Sequence, residues 1–266
     1  MELVRDSDER VVLAAWHLGL MECPLNGFWC LRSGAAEEVR AVAARTACAV
    51  AVAELAQADW PEDWFNLVPS LVSRALIRQW RLGVYDAQRY HREAARLSDL
   101  LRRFLHGWRP SSGVVWQTEP SARWEDRAGG IAVVGRLDLL IPRGAGTAGP
   151  GVVLDWRIDD GGGDGAEPPA EVVALAALAQ ARLGLQCAVE VRRLHLASGA
   201  QTSWRFGRAE LALHWRGVRR LGQDARRDFW PARPGRVCEG CEVGNCQLRP
   251  GAEGGLPLGR RARASA

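Results

Sequence analysis

The spacing of apolar and polar positions changes character near residue 111. Upstream, apolar residues recur at helical intervals. Residues 10–32 read as an amphipathic helix broken near Cys23-Pro24, with the aromatic segment GFWCLRS at its end. Residues 35–58 form an alanine-rich helical pattern, and 69–82 and 85–107 predict two more helices, ended by Gly107 and Pro110. Downstream the runs are short and β-rich: VVWQTEP, then IAVVGRLDLLIP, then VVLDWRI. Turn-forming stretches, RWEDRAGG and RGAGTAGPG, separate them. A polar loop leads into a helix over about 169–184, followed by two further strands, VEVRRLHLA and TSWRF, and an arginine-rich helix over 208–229. Strands, a crossover helix and more strands predict an α/β architecture.

The expected organisation is a helical N-terminal region over 1–110, a strand-bearing core over 111–207, a C-terminal helix and cysteine segment over 208–250, and a disordered Gly- and Arg-rich tail over 251–266. No internal repeat is visible. At 266 residues and 47% hydrophobic content, the chain can bury a sizeable core. No apolar run is long enough to span a membrane, and MELVRDSDER is too charged for a secretory signal. A cytoplasmic protein without membrane partners is expected.

Charge adds one unusual feature. The net charge is only +4, yet all 35 basic residues other than histidine are arginine, and lysine is absent. No lysine is therefore available for catalysis, and every such cationic contact is a guanidinium, which forks onto phosphate and stacks on bases. Arg74, Arg78 and Arg81 share one helical face, and Arg89, Arg92, Arg96, Arg102 and Arg103 follow. Arg216, Arg219, Arg220, Arg226 and Arg227 lie on the last helix. Such faces can neutralise DNA phosphates or simply be solvated. Of the twelve tryptophans, Trp60, Trp64, Trp80 and Trp156 fall in core patterns.

Seven cysteines, an odd number, argue against a disulfide framework. Cys48 and Cys187 sit in apolar runs and read as core residues. Cys238, Cys241 and Cys246 form C-x2-C-x4-C, a spacing that suits a thiolate-bound metal centre. A closed site needs a fourth ligand, and Cys23 and Cys30 are the candidates. Either would clip the two ends of the chain together, so that metal binding contributes to folding. Spacing alone leaves iron–sulfur and zinc open.

Three carboxylates mark the β-rich runs. Glu119 ends the first, Asp138 interrupts the second, and Asp155 interrupts the third with Arg157 two residues on. Carboxylates in apolar strands need pairing, hydrogen bonds or a metal. Arg136 and Arg157 are the nearest partners in sequence. Hard oxygen ligands suit Mg²⁺ or Mn²⁺, and a metal there could activate water and offset charge on a phosphate.

These residues resemble the PD-(D/E)XK nuclease superfamily, specifically its RecB-like branch. Gly135-Arg136-Leu137-Asp138 resembles the branch's G-x-x-D strand, and Asp155-Trp156-Arg157 occupies its D-x-K strand. The C-terminal cysteines, preceded by FWPARPGRVC, resemble the iron–sulfur members, including AddB-type nuclease domains and CRISPR-associated RecB-like exonucleases. The stretch MECPLNGFW resembles their N-terminal Cys-Pro-aromatic segment and favours Cys23 as the fourth ligand. The resemblance implies a restriction-endonuclease-like mixed β-sheet core flanked by helices, with a cysteine-ligated 4Fe-4S cluster joining the chain ends, zinc being the alternative. It implies Asp138 and Asp155 as ligands of Mg²⁺ or Mn²⁺, with Glu119 assisting and Arg157 facing the phosphate.

Three positions depart from the pattern. Arg157 replaces the motif lysine, Glu171-Val172-Val173-Ala174-Leu175 replaces a Q-x-x-x-Y segment, and no histidine follows Gly34 at the expected place. The expected activity is a metal-dependent DNA nuclease, an exonuclease of repair, recombination or defence. Its substrate would be single-stranded DNA or free ends, with a helicase or repair complex as partner. The alternative is a catalytically degenerate RecB-like module that binds DNA or a repair partner without cleavage.

Overall fold

The computed structural model describes residues 11–15, 18, 36–80, 87–108, 117–118, 120–142, 149–158, 166–184, 186–227, 229 and 246. They form a mixed α/β fold with two mixed sheets and five helices. The first sheet has three strands, β1 (Val11–Ala14), β3 (Ser121–Asp126) and β4 (Ile131–Arg136), in the order β1-β4-β3. The second contains β2 (Gln117–Thr118), β5 (Leu139–Ile141), β6 (Gly151–Arg157), β7 (Val189–His195) and β8 (Gln201–Phe206), paired in that order. Strands β6 and β7 run parallel, and the other pairs of this sheet are antiparallel.

The parallel pair needs a crossover, which α4 (Ala170–Leu183) supplies. Helices α1 (Ala36–Gln57), α2 (Trp64–Trp80) and α3 (Ala87–Gly107) precede the core, and α5 (Arg208–Arg226) follows it. Period-two alternation splits the sheet's side chains between two cores. Leu154, Trp156 and Leu194 face α1–α3, where Val52, Leu76 and Leu101 are buried. Val153, Val189 and Val191 face α4 and α5, with Val172, Leu178 and Trp215. Trp156 is thus core, as its position between Asp155 and Arg157 predicts; its ring meets Phe104 and Trp108 edge-on. No helix among the described residues is long and apolar enough to cross a membrane.

Four element predictions are corrected. Residues 11–14 form a strand, parallel to Ile131–Val134, rather than the start of a helix. A short apolar run fits either period, and the partner strand decides between them. Ala15 and Leu18 beyond it are helical and buried; the rest of the predicted helix lies outside the described residues.

The stretch beginning Arg123-Trp124 is not only a turn. Residues 121–126 pair with β4, and the turn is confined to 127–130. The run 131–142 is two strands in different sheets, broken at Leu137-Asp138. Finally, α2 starts at Trp64, with Pro69 inside it rather than at its first turn. Proline has no N–H to give the carbonyl four residues back. Arg102 Nε supplies that bond instead, reaching Phe65 O at 2.8 Å. Helices α4 and α5 and strands β6, β7 and β8 fall close to where the periodicity predicts them. The predicted 251–266 tail lies outside the described residues.

Candidate active site

Asp138 sits at the bend where the chain leaves β4 and enters β5, and so passes from one sheet to the other. Register then sets its neighbour. Leu139 pairs with Leu154, so the next step along this antiparallel pair brings Asp138 opposite Asp155. The Trp156 N–H donates to Asp138 Oδ2 at 3.1 Å. Asp155 is 3% exposed and shares its strand face with Arg157 and, across the parallel pair, with Arg193.

A third carboxylate arrives from the other side. Glu171 lies in the first turn of α4, where a negative charge is favoured by the helix dipole, and is buried beside the same strands. The three carboxylates and Arg45 of α1 line a cavity of about 700 Å³. Arg123 and Arg136, from the β3–β4 hairpin, form part of its wall.

The contacts are unevenly distributed. Asp155 Oδ2 accepts from Arg193 Nε at 2.7 Å and from Arg157 Nε and Nη2, each at 3.2 Å. Glu171 Oε2 accepts from Arg157 Nη2, with Arg193 Nη2 at 3.5 Å. Arg45 Nη1 stands 3.6 Å from both Asp155 Oδ1 and Glu171 Oε1. Asp138 differs, because among the described residues no guanidinium bonds it and its one bond is from the Trp156 backbone.

The charges follow this geometry. Burial alone would raise the Asp155 carboxyl, but Arg157, Arg193 and Arg45 outweigh it and hold it well below the usual range. Burial pushes Asp138 up to about 6; Arg45 opposes this and the neighbouring Asp155 charge adds to it. Arg157 gains more from Asp155 and Glu171 than it loses to burial, so it stays cationic.

The structure brings together Asp138, Asp155 and Arg157 of the predicted residues. Arg157 bonds Asp155, while Arg136 lies at the cavity wall. Glu119, Cys23, Cys30, Cys238 and Cys241 lie outside the described residues. Cys246 is described and buried. Cys48 is fully buried, which pushes its thiol up to about 12, consistent with a core role. Cys187 is half-buried, and its thiol donates to Leu183 O.

Several of the helical arginines serve the fold. Arg74 pairs with Glu54, Arg96 with Glu93 and Arg219 with Asp126, and Arg102 bonds Phe65 O. Arg81 lies outside the described residues. Sequence reasoning missed Glu171, Arg193 and Arg45. The signal for Glu171 was a lone carboxylate in an apolar helix, where a partner is required, whereas Arg193 sits among other charged residues of its strand.

The donor set is compatible with a hard divalent cation. Mg²⁺ keeps several waters and needs only one or two carboxylates from the protein, and Asp138 and Asp155 provide two. Among the described residues no group of three or more histidine, cysteine, aspartate or glutamate side chains is arranged to hold a metal. A site on this pair would therefore be completed by water or substrate oxygens.

No family model and no curated protein matches the chain. A solved structure described as SSO0001 aligns over 90% of this chain and 84% of its own length, with 13% identity and a TM-score of 0.41.

Proposed function

We propose that this protein is a metal-dependent deoxyribonuclease with a RecB-like, restriction-endonuclease-like core, acting on single strands or free ends of DNA. The observation that carries the reading is that Asp138, from the β4–β5 bend, and Asp155, from β6, meet at one cavity. One is held ionised by arginines and the other is pushed up by burial beside it. A divalent cation relieves such a pair by favouring both ionised forms.

Mg²⁺ or Mn²⁺ on Asp138 and Asp155 would supply Lewis acidity toward a phosphodiester and lower the pKa of a bound water. The chain's own residues do the rest. Trp156 N–H fixes one oxygen of Asp138. Arg157 stays protonated beside Asp155 and Glu171, and would offset negative charge on the phosphate. Arg123 and Arg136 at the cavity wall suit the adjoining phosphates. Glu119 belongs to the proposal by its sequence position. So does a 4Fe-4S cluster, or zinc, on Cys23, Cys238, Cys241 and Cys246, which would clip the chain ends together. Repair, recombination or defence, in the cytoplasm and with a helicase or repair-complex partner, is the setting this reading implies.

One observation favours a second reading, a module that binds DNA or a repair partner without cleaving. Arg45, Arg157 and Arg193 already set three cationic charges against Asp155 and Glu171. Incubation of purified protein with single- and double-stranded DNA and Mg²⁺ or Mn²⁺ separates the two. The nuclease reading expects metal-dependent degradation that is lost in Asp155→Ala and in Asp138→Asn. Degradation unchanged in Asp155→Ala overturns the site assignment, and tight binding without cleavage in either metal selects the second reading. Iron and sulfide analysis after anaerobic purification tests the cluster.

A further inference from the structure

The crowding of guanidiniums onto a single oxygen of Asp155 needs an explanation. A guanidinium beside a carboxylate ordinarily engages both of its oxygens, as a two-pronged fork. Here Arg157 and Arg193 both bond Oδ2. Among the described residues Oδ1 accepts no hydrogen bond; it has an ion pair with Arg45, whose Nη1 lies at 3.6 Å.

Glu171 accounts for the asymmetry. Its Oε2 takes Nη2 of Arg157 and stands 3.5 Å from Nη2 of Arg193. Both guanidiniums are thereby stretched between two carboxylates on opposite elements, β6 and α4. Neither can swing to close the fork on Asp155 without leaving the buried Glu171, and the loss of a partner by a buried carboxylate is costly.

We infer that Glu171 is a positioning residue, which draws Arg157 and Arg193 to one side of Asp155 and leaves Asp155 Oδ1, held among the described residues only by the longer Arg45 ion pair, available with Asp138 to a divalent cation. The inference rests on the metal-dependent reading above and adds a residue to it. Glu171 is not itself a ligand in this account; it acts through Arg157. Removing it lets Arg157 fork onto Asp155 and compete with the cation.

A double-variant cycle read by Mn²⁺ affinity tests this, because a merely structural role would not produce coupling. The full-length protein, Glu171→Ala, Arg157→Met and the double variant are titrated with Mn²⁺ by calorimetry at fixed pH. Glu171→Ala should weaken Mn²⁺ binding about tenfold when Arg157 is present, and by less than about threefold in the Arg157→Met background. Equal weakening in both backgrounds means that Glu171 acts by its charge alone, and it overturns the inference while leaving the functional reading intact. Absence of Mn²⁺ binding by the unaltered protein overturns the functional reading and the inference with it. Circular dichroism checks folding; if Glu171→Ala does not fold, the isosteric Glu171→Gln takes its place in the cycle with the same criterion.

Discussion

The backbone N–H of Trp156 donates to Asp138 Oδ2, so the strand that carries Asp155 also anchors its companion carboxylate. That single bond does not offset the burial of Asp138, whose carboxyl is pushed from 3.8 up to about 6. A carboxyl that binds its proton more tightly when folded contributes stability that is complete below about pH 4 and is lost as pH rises through about 6. Above that, ionised Asp138 costs at most about 3 kcal/mol. Asp138→Asn keeps an acceptor for Trp156 and removes the titration. In EDTA, the unaltered protein should lose stability between pH 4.5 and 7.5 (roughly the titration window) relative to Asp138→Asn. Urea midpoints at the two pH values measure this, and parallel behaviour of the two proteins would count against a buried, under-neutralised Asp138.

Gly135 is closely packed. A Cβ there would lie 3.0 Å from Leu178 Cδ1 and 3.1 Å from Ala15 Cβ, between α4 and the residue that follows β1. Gly135 lines the same cavity as Asp138. Gly135→Ala should therefore destabilise the protein by about 1–3 kcal/mol, the usual cost of overpacking. An unchanged denaturation midpoint would mean that Leu178 gives way freely.

Arg102 is engaged by the fold itself. Its Nε completes the Phe65 carbonyl that Pro69 leaves without a helical partner, and its guanidinium carbon lies 4.4 Å from the centre of the Phe65 ring. Arg102→Ala should cost about 1 kcal/mol, because the carbonyl is exposed enough for water to replace part of the bond. Lysine lacks the planar fork and should recover little of it. The diagnostic is Pro69→Ala, which restores the helical N–H; in that background the loss on Arg102→Ala should shrink. A loss of the same size in both backgrounds refutes the role assigned to the carbonyl.

Strand β6 and the crossover helix were legible because their apolar runs are long and bounded by turns, and β7 because it opens with apolar and charged residues in alternation. Asp138 and Asp155 were legible for a related reason, since a charge inside an apolar strand demands a partner. Glu171 carried the same signal, yet its partners lie on β6, β7 and α1, and spacing along one chain cannot show which buried charges meet. Its place in a motif with the wrong residue types hid it further. Strand β1 failed for want of length: four residues satisfy both periods, and only pairing with β4 separates them. The break at Leu137-Asp138 was masked by apolar residues on both sides of it, because each half enters a different sheet with the same composition.

Asp126 ties the β3–β4 hairpin to α5 and should govern acid stability. Its Oδ2 accepts from Trp215 Nε1 at 2.8 Å and Arg219 Nε at 2.7 Å, and its Oδ1 from Gly129 N at 2.9 Å and Arg219 Nη2 at 3.1 Å. Burial raises its pKa, but the bonds from Arg219, Trp215 and Gly129 outweigh burial and lower it. A carboxylate whose folded pKa lies below its unfolded value gives stability that is present above about pH 4 and lost as pH falls through the folded value. Asp126→Asn keeps the shape but offers Arg219 no charge and places a donor against donors. It should cost about 2 kcal/mol at neutral pH, in the range for hydrogen bonds to charged groups. The difference from the unaltered protein should narrow below about pH 4, where the native carboxylate is itself being protonated. Urea unfolding of both proteins at neutral and acid pH, followed by circular dichroism, measures the gap. A gap that stays constant down to acid pH would show that the site depends on shape and packing and that the charge on Asp126 contributes nothing.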